Sequence, residues 1–216
     1  MTFLKHSMLS LVILACLVVA GCESTTAPPS NSTASKPAVK TAPAIPKPQP
    51  GDDIVVIETE SFGKVKIQLF PDVAPKHVET FKKLINEGFY NGLAFHRAVP
   101  NLIVQGGDPT TKGSDRSKWG MGDENLPKVN AEFNDRPFIK GTLGMARAQD
   151  PNSASTQFFI CVEPNPSWDG QYTNFGQVIE GISKVQVMTT APTEPDEKLQ
   201  DKIVMKRVYL EKYSGK

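Results

Sequence analysis

The chain has 216 residues, and its 24 Lys and Arg against 23 Asp and Glu give a formal net charge of +1. This balance gives no reason to expect a nucleic acid or a strongly acidic partner. The 3 Cys and 3 His are scattered without ligand spacing, so neither a metal site nor any other cofactor is expected.

The N-terminus has the pattern of an export signal. Lys5 and His6 precede an apolar run over residues 8–20, which is shorter than the roughly 20 residues of a membrane-spanning helix. The run ends in Val19-Ala20-Gly21-Cys22, which resembles the lipobox of bacterial lipoproteins. The resemblance implies a signal peptide over residues 1–21, lipidation of Cys22, and an extracytoplasmic protein anchored to a bacterial membrane at the periplasmic face or the cell surface. An ordinary signal peptide and a buried apolar helix remain the alternatives.

A linker follows over residues 22–51. Seven of the 18 prolines lie between residues 23 and 51, among Ser, Thr, Ala and Lys. Such a segment cannot bury enough apolar area to offset its ordering entropy, so it is expected to be disordered. Its prolines are expected to make the disordered chain stiffer and more extended. It is either a spacer that keeps a domain away from the membrane surface or a segment without a function of its own. Residues 52–216 are one domain's worth of chain, expected to be monomeric.

The patterns in this domain predict many short strands and two helices. Strands separated by a turn at 61–64 are predicted at 54–57 and 65–70. A helix begins at Pro75 and ends near Gly88, followed by strands broken at Pro100-Asn101, and then an irregular stretch over residues 106–127. Later strands are predicted at 129–133, 141–146, 158–163, 175–179 and 203–213, with a short helix at 182–188. In the last strand, alternation places Ile203, Met205 and Arg207 on one face and Val204, Lys206 and Val208 on the other. The pattern favours an all-β sandwich or barrel.

Six segments, in order along the chain, carry a family resemblance. They are Leu69–Lys76, Gly88–Arg97, Gln105–Asp108, Gly141–Ala148, Ser155–Ile160 and Asp169–Gly176. Together they resemble the cyclophilin family of peptidyl-prolyl cis-trans isomerases. The resemblance implies a closed eight-stranded antiparallel barrel capped by two helices, spanning roughly residues 54–213. It also implies an enzyme that accelerates rotation about X–Pro bonds, with proline-containing segments of exported or unfolded proteins as its partners.

The resemblance assigns the catalytic role to Arg97. Rotation of an X–Pro bond breaks amide resonance against a barrier of about 20 kcal/mol, and the twisted proline nitrogen gains a lone pair. An arginine suits this site because it stays charged and presents a rigid fork of donors. The resemblance further implies a proline pocket with Phe159 as its floor and Leu102 and Ile103 as its walls. The resemblance also implies that Ala146 and Arg147 contact the peptide through their backbones. The other residues implied to contact the peptide are Gln105, Gln157, Trp168 and Tyr172.

Several departures from the family pattern affect the pocket. Leu102 and Ile103 stand where Phe and Met are usual, and Tyr172 stands where a His is frequent. Arg147 replaces an Asn that is common in eukaryotic members. Ser167 occupies the position of an aromatic residue that is central to cyclosporin binding, and Trp168 occupies the next, Leu position, so weak inhibition by this drug is expected.

No role in the site is expected for three further side chains. Cys161 is interpreted as a small core residue, because it lies in an apolar strand without a neighbouring base. His96 is interpreted as a buried structural histidine, and His77 is expected on the solvated face of its helix.

Two functions other than catalysis remain open. The first is a binding module or chaperone that uses the same groove to hold proline-containing segments with little turnover. The second is a surface adhesion or scaffold protein in which the isomerase fold is incidental.

Overall fold

A computed structural model describes residues 44–215. The predicted signal peptide, Cys22 and the linker before residue 44 lie outside the described residues. Eight strands close into an antiparallel barrel in the order β1-β2-β7-β5-β6-β4-β3-β8, which confirms the expected fold class. The strands are β1 (Asp53–Thr59), β2 (Gly63–Leu69), β3 (Ala94–Val99), β4 (Ile103–Gly106), β5 (Thr142–Met145), β6 (Phe158–Cys161), β7 (Asn174–Glu180) and β8 (Lys198–Lys212).

Two α-helices accompany the barrel in the described part of the chain, α1 (Pro75–Asn86) and α2 (Ile182–Met188). Helix α1 buries Val78, Phe81 and Ile85, the apolar positions that repeat at helical spacing. The ring of Phe81 meets those of Phe158 and Phe175 edge-on, at 5.4 and 5.3 Å between centroids. These contacts join α1 to the interior of the barrel. Within the described part of the chain, no helix is long and apolar enough to cross a bilayer.

His77 corrects an expectation about α1. Its side chain is fully buried, and its Nδ1 lies 2.7 Å from Oε2 of Glu132. Burial lowers the pKa of His77, and the contact with Glu132 only partly opposes that shift. The prediction of a solvated histidine was wrong because His77 precedes Phe81 by four residues and therefore lies on the same helix face.

The predicted strand at 129–133 is also wrong. Only Val129 forms a bridge, to Ala154. Glu132 instead accepts hydrogen bonds from the backbone N–H groups of Lys76 and His77, at 3.0 and 2.9 Å. An acidic group stabilises the positive end of a helix dipole and satisfies N–H groups that lack intrahelical partners. The segment is therefore held by capping α1 and not by strand pairing.

Strand β8 begins earlier than predicted and changes face. It starts at Lys198, and its pairing with β1 shifts between Glu58 and Thr59, so that Lys206 is an extra residue. Met205 and Val208 are both buried, whereas Arg207 is exposed. A bulge reverses the alternation of the residues that follow it, which is why the predicted facing of Arg207 and Val208 was wrong.

Candidate functional site

The candidate site lies on the outer side of the barrel, across β3, β4, β6 and β5. Along β6, Phe158 and Ile160 join the barrel core, whereas Phe159 and Cys161 belong to a second apolar cluster with Ile103. Successive side chains of a strand point to opposite faces. The run of four apolar residues in β6 therefore serves two cores, one inside the barrel and one beneath the site.

The strand register brings four positions into one row. Arg97 pairs with Gln105, Gln105 pairs with Phe159, and Phe159 pairs with Gly144. Paired residues in a sheet share a face. The row therefore places a guanidinium, an amide and an aromatic ring beside one another on the outer face.

A β-bulge determines the direction of Arg97. Pairing of β3 with β4 shifts between Phe95 and Arg97, so that His96 is the extra residue. Phe95 and Ala98 both contribute to the barrel core, and Arg97 between them is half-buried at the pocket. Without the bulge, alternation would direct Phe95 and Arg97 to the same face.

Hydrogen bonds fix the guanidinium of Arg97. Its Nη1 donates to Oε1 of Gln105 at 3.0 Å, and its Nε donates to Oε2 of Glu197 at 2.9 Å. The Nε2 of Gln105 donates to Oε1 of Gln157 at 3.0 Å. Gln157 therefore acts on Arg97 through Gln105. Glu197 lies 100 residues after Arg97, and the sequence analysis missed it.

The chain after β4 anchors this network from the other side. The carboxylate of Asp108 accepts hydrogen bonds from the backbone of Thr110, Gly120 and Gly122, at 2.8, 2.5 and 3.2 Å. The carbonyl of Gly120 in turn accepts a bond of 3.1 Å from Nε2 of Gln157. Asp108 thus holds the irregular stretch against the site. The sequence carried a signal for this role, because an Asp in a turn often accepts a hydrogen bond from the backbone two residues on, here at Thr110.

A concave pocket of about 250 Å³ opens beside Arg97. Its floor is Phe159, whose ring stacks on Phe138 at 5.9 Å and meets Trp168 edge-on at 5.3 Å. Phe138 is 1% exposed, and the sequence analysis missed it. The predicted residues that the pocket brings together are Arg97, Leu102, Ile103, Gln105, Ala146, Arg147, Phe159, Trp168 and Tyr172. Val99 and Glu197 also line it.

Gln157 lines a neighbouring groove and not this pocket. The groove shares Gln105, Ala146 and Arg147 with the pocket and continues along residues 120–124 and 153–157. The backbone N–H of Ala146 already donates to the carbonyl of Gln157 at 3.0 Å, so only the carbonyl of Ala146 can be offered to a bound peptide. Two adjoining depressions with a shared edge suit an extended chain better than a small compact ligand.

The side chain of Arg147 braces the wall of the site. Its guanidinium donates to the carbonyls of Gln171, Ala148 and Gln149, at 2.9 to 3.2 Å. It also lies 4.6 Å from the ring centroid of Tyr172. These contacts use four of the five guanidinium N–H groups of Arg147 within the protein, so its side chain positions Tyr172 and the loop around Gln171.

Neither the buried thiol nor the buried imidazole near the site is poised for chemistry. Burial raises the pKa of Cys161 to about 12, and burial lowers the pKa of His96 to about 4. Both residues are therefore neutral near pH 7. Their burial confirms the interpretation of Cys161 as a core residue and of His96 as a buried histidine. Among the described residues, no group of three or more potential metal ligands is present.

Comparison with known proteins identifies the family. Residues 54–210 match the model of the cyclophilin type peptidyl-prolyl cis-trans isomerase/CLD family. A probable peptidyl-prolyl cis-trans isomerase of Brucella suis is 49% identical over 127 residues, which are 57% of this chain and 65% of that protein. A peptidyl-prolyl cis-trans isomerase of Synechococcus elongatus is 43% identical over 122 residues, which are 56% of this chain and 77% of the relative. The match therefore spans less than two thirds of the Brucella protein.

Solved structures give the same assignment. A cyclophilin type isomerase of Cryptosporidium parvum, crystallised in the presence of the dipeptide Ala-Pro, superposes with a TM-score of 0.66 and 30% identity. The superposition covers 74% of this chain and 99% of the other. The chain belongs to the cyclophilin-type peptidyl-prolyl cis-trans isomerase family, as the six sequence segments indicated.

Proposed function

We propose that this protein catalyses cis–trans isomerisation of X–Pro bonds, with Arg97 as the catalytic residue. The observation that carries the proposal is that Arg97 projects onto the pocket floored by Phe159 while Gln105 and Glu197 fix its orientation. A fixed cation next to an apolar pocket is what the reaction requires.

The reaction needs no covalent step. When the X–Pro amide twists, its nitrogen becomes pyramidal and its lone pair becomes available as an acceptor. An N–H of Arg97 can donate to that lone pair, which exists only near the transition state. An interaction made more strongly in the transition state than in the ground state accelerates the reaction.

The pocket supplies substrate binding. Phe159, Ile103 and Leu102 present apolar surface to a proline ring. We assign the residues before the proline to the adjoining groove, which Ala146 and Arg147 also line. Tyr172 and Trp168 line the pocket itself. Gln105 holds Arg97 and is within the same pocket, so it can also contact the peptide backbone.

The experiment is a rate measurement with a proline peptide together with a separate binding measurement. The purified protein should accelerate isomerisation in a protease-coupled or NMR exchange assay and should bind the same peptide in a titration. Binding without rate enhancement would establish the proline-peptide binding module instead. The absence of both would contradict the proposal.

The proposal extends to an exported, lipid-anchored setting. It rests on the sequence Val19-Ala20-Gly21-Cys22 after an apolar run, with Cys22 as the lipidated residue and proline-containing segments of exported proteins as substrates. The test is mass spectrometry of the N-terminal peptide of the mature protein. An acylated N-terminal Cys22 that disappears in Cys22→Ser, but not in Cys16→Ser, would support the anchor. An unmodified Cys22 would contradict it.

A further inference from the structure

Glu197 holds the side of the Arg97 guanidinium that faces away from Gln105. Its Oε2 accepts hydrogen bonds from both Nε and Nη2 of Arg97, at 2.9 and 2.5 Å. Gln105 takes one hydrogen of Nη1. Three of the five guanidinium N–H groups are thereby used, and one hydrogen remains on each terminal nitrogen. The guanidinium can therefore still donate to a substrate while it is held on two sides.

The backbone of Glu197 has an unfavourable conformation. Its φ is +65°, and Asn101 is the one other described residue besides glycines with a positive φ. Asn tolerates this left-handed region, but Glu does not have the short polar side chain that compensates for it. Glycine is the residue that a turn of this kind ordinarily selects.

The turn is otherwise well formed. The N–H of Glu194 donates to the carbonyl of Lys198 at 2.8 Å, and the N–H of Glu197 donates to the carbonyl of Glu194 at 2.9 Å. The carbonyl of Glu197 accepts a bond of 3.0 Å from the N–H of Ala98. Because these bonds use only backbone atoms, a glycine at position 197 could make all of them, and the turn gives no reason for a glutamate.

A partly exposed ion pair also gives no reason for it. The side chains of Arg97 and Glu197 are 34% and 43% exposed, and ion pairs with such exposure contribute little to stability. Strained backbone that persists at the edge of a binding pocket is associated with function. The contact that only the glutamate side chain makes is the one with Arg97.

We propose that Glu197 is a positioning residue for catalysis, which fixes the guanidinium of Arg97 so that its remaining N–H groups face the proline nitrogen. The inference rests on the proposed isomerase function. It adds that the strained turn before β8 is retained for rate and not for folding. Loss of the Glu197 side chain leaves Arg97 charged and tethered only through Gln105, so that it samples orientations that do not donate to the twisted amide.

The test compares Glu197→Gly, Glu197→Gln and Asn101→Gly in the full-length protein. In Glu197→Gly the strain is relieved and the contact is lost, so kcat should fall at least tenfold with KM changed less than threefold, and Tm should stay the same or rise. In Glu197→Gln an oxygen that accepts from Arg97 is kept, so kcat should recover at least part of the loss. Asn101→Gly relieves the other positive φ without removing a hydrogen bond to Arg97, so its kcat should stay within twofold of the wild-type value.

Two outcomes would overturn the inference alone. One is an active wild-type protein whose Glu197→Gly variant keeps kcat within twofold, which would leave Glu197 as a turn residue. The other is a fall of kcat in Glu197→Gly that comes with a large fall in Tm, because the glutamate would then support the fold. An inactive wild-type protein would overturn both this inference and the proposed function.

Discussion

Gln105 and Phe159 are cross-strand neighbours, and their side chains lie on the outer face of the barrel beside Arg97. The polar amide of Gln105 orients the guanidinium, and the ring of Phe159 forms the apolar floor. Because both side chains come from paired strands of a closed barrel, their separation is fixed by the sheet and not by a mobile loop. The proposed transition-state stabilisation and proline binding would both take place on this rigid surface.

The pocket floor needs a residue without a side chain at position 144, which is Gly144. A Cβ at Gly144 would lie 2.7 Å from Cε2 of Phe159 and 2.8 Å from Cε1 of Phe138. Both rings are buried, so Gly144→Ala should displace them. We expect a loss of about 1–3 kcal/mol in the free energy of unfolding together with a raised KM. Urea unfolding and peptide kinetics measure these two effects.

Gly113→Ala is the matched control for that substitution. A Cβ at Gly113 would meet only the carbonyl oxygen of Thr110, at 3.4 Å. Its effect on the free energy of unfolding should stay within about 0.5 kcal/mol. Equal effects of the two substitutions would show that the rings do not need the space at Gly144.

His96 should make stability depend on pH. Burial lowers the pKa of His96 from 6.5 to about 4, with the nearby Asp108 opposing the shift. The folded protein therefore keeps His96 neutral, whereas the unfolded chain takes up a proton as the pH falls below 6.5. Neutral His96 therefore makes the free energy of unfolding depend on pH. This stabilisation is fully present above pH 6.5, is lost as the pH falls from 6.5 to 4, and amounts to on the order of 3 kcal/mol in total.

The measurement is the free energy of unfolding at pH 7 and pH 5. Wild type should lose about 2 kcal/mol more than His96→Gln over this interval. If the variant does not fold, an NMR titration of the wild-type His96 provides the same information. The prediction would be refuted by a His96 pKa close to 6.5 in that titration, or by equal losses of unfolding free energy in the two proteins.

Cyclosporin should inhibit the protein only weakly. Ser167 is exposed and supplies no aromatic surface at the pocket rim, while Trp168 lies against Phe159 inside the pocket. Ser167→Trp should lower the inhibition constant about tenfold, which corresponds to about 1.4 kcal/mol. Ser114→Trp at another exposed position should leave it unchanged. A nanomolar inhibition constant for the wild-type protein would contradict the prediction.

The sequence predicted those features that depend on local pattern. The strands around Phe95 and Phe159 and the helix beginning at Pro75 were found because apolar periodicity and turn residues are local signals. The resemblance to cyclophilins predicted ten residues of the peptide site, and the structure brings nine of them together in one pocket. The tenth, Gln157, lies in the adjoining groove and acts through Gln105.

The sequence could not predict features that depend on register or on distant contacts. The bulge at His96 turns Arg97 outward, and the bulge at Lys206 changes the face of Arg207. Each is one inserted residue whose effect depends on the partner strand. Glu197 reaches Arg97 across 100 residues, and no local pattern marks that contact. His77 had a local signal in its four-residue spacing from Phe81, but a polar side chain on the buried face was not expected.

The central claim is that Arg97 stabilises the transition state. The measurement that tests it most directly is kcat/KM of Arg97→Ala for a proline peptide, with peptide affinity measured on the same protein. Arg207→Ala is the control, because Arg207 is an exposed arginine on β8 paired with Glu58 at 3.7 Å. We predict that Arg97→Ala lowers kcat/KM about 10²–10³-fold with affinity changed only a few-fold, while Arg207→Ala stays near the wild-type value. An Arg97→Ala protein with wild-type kcat/KM would contradict the account.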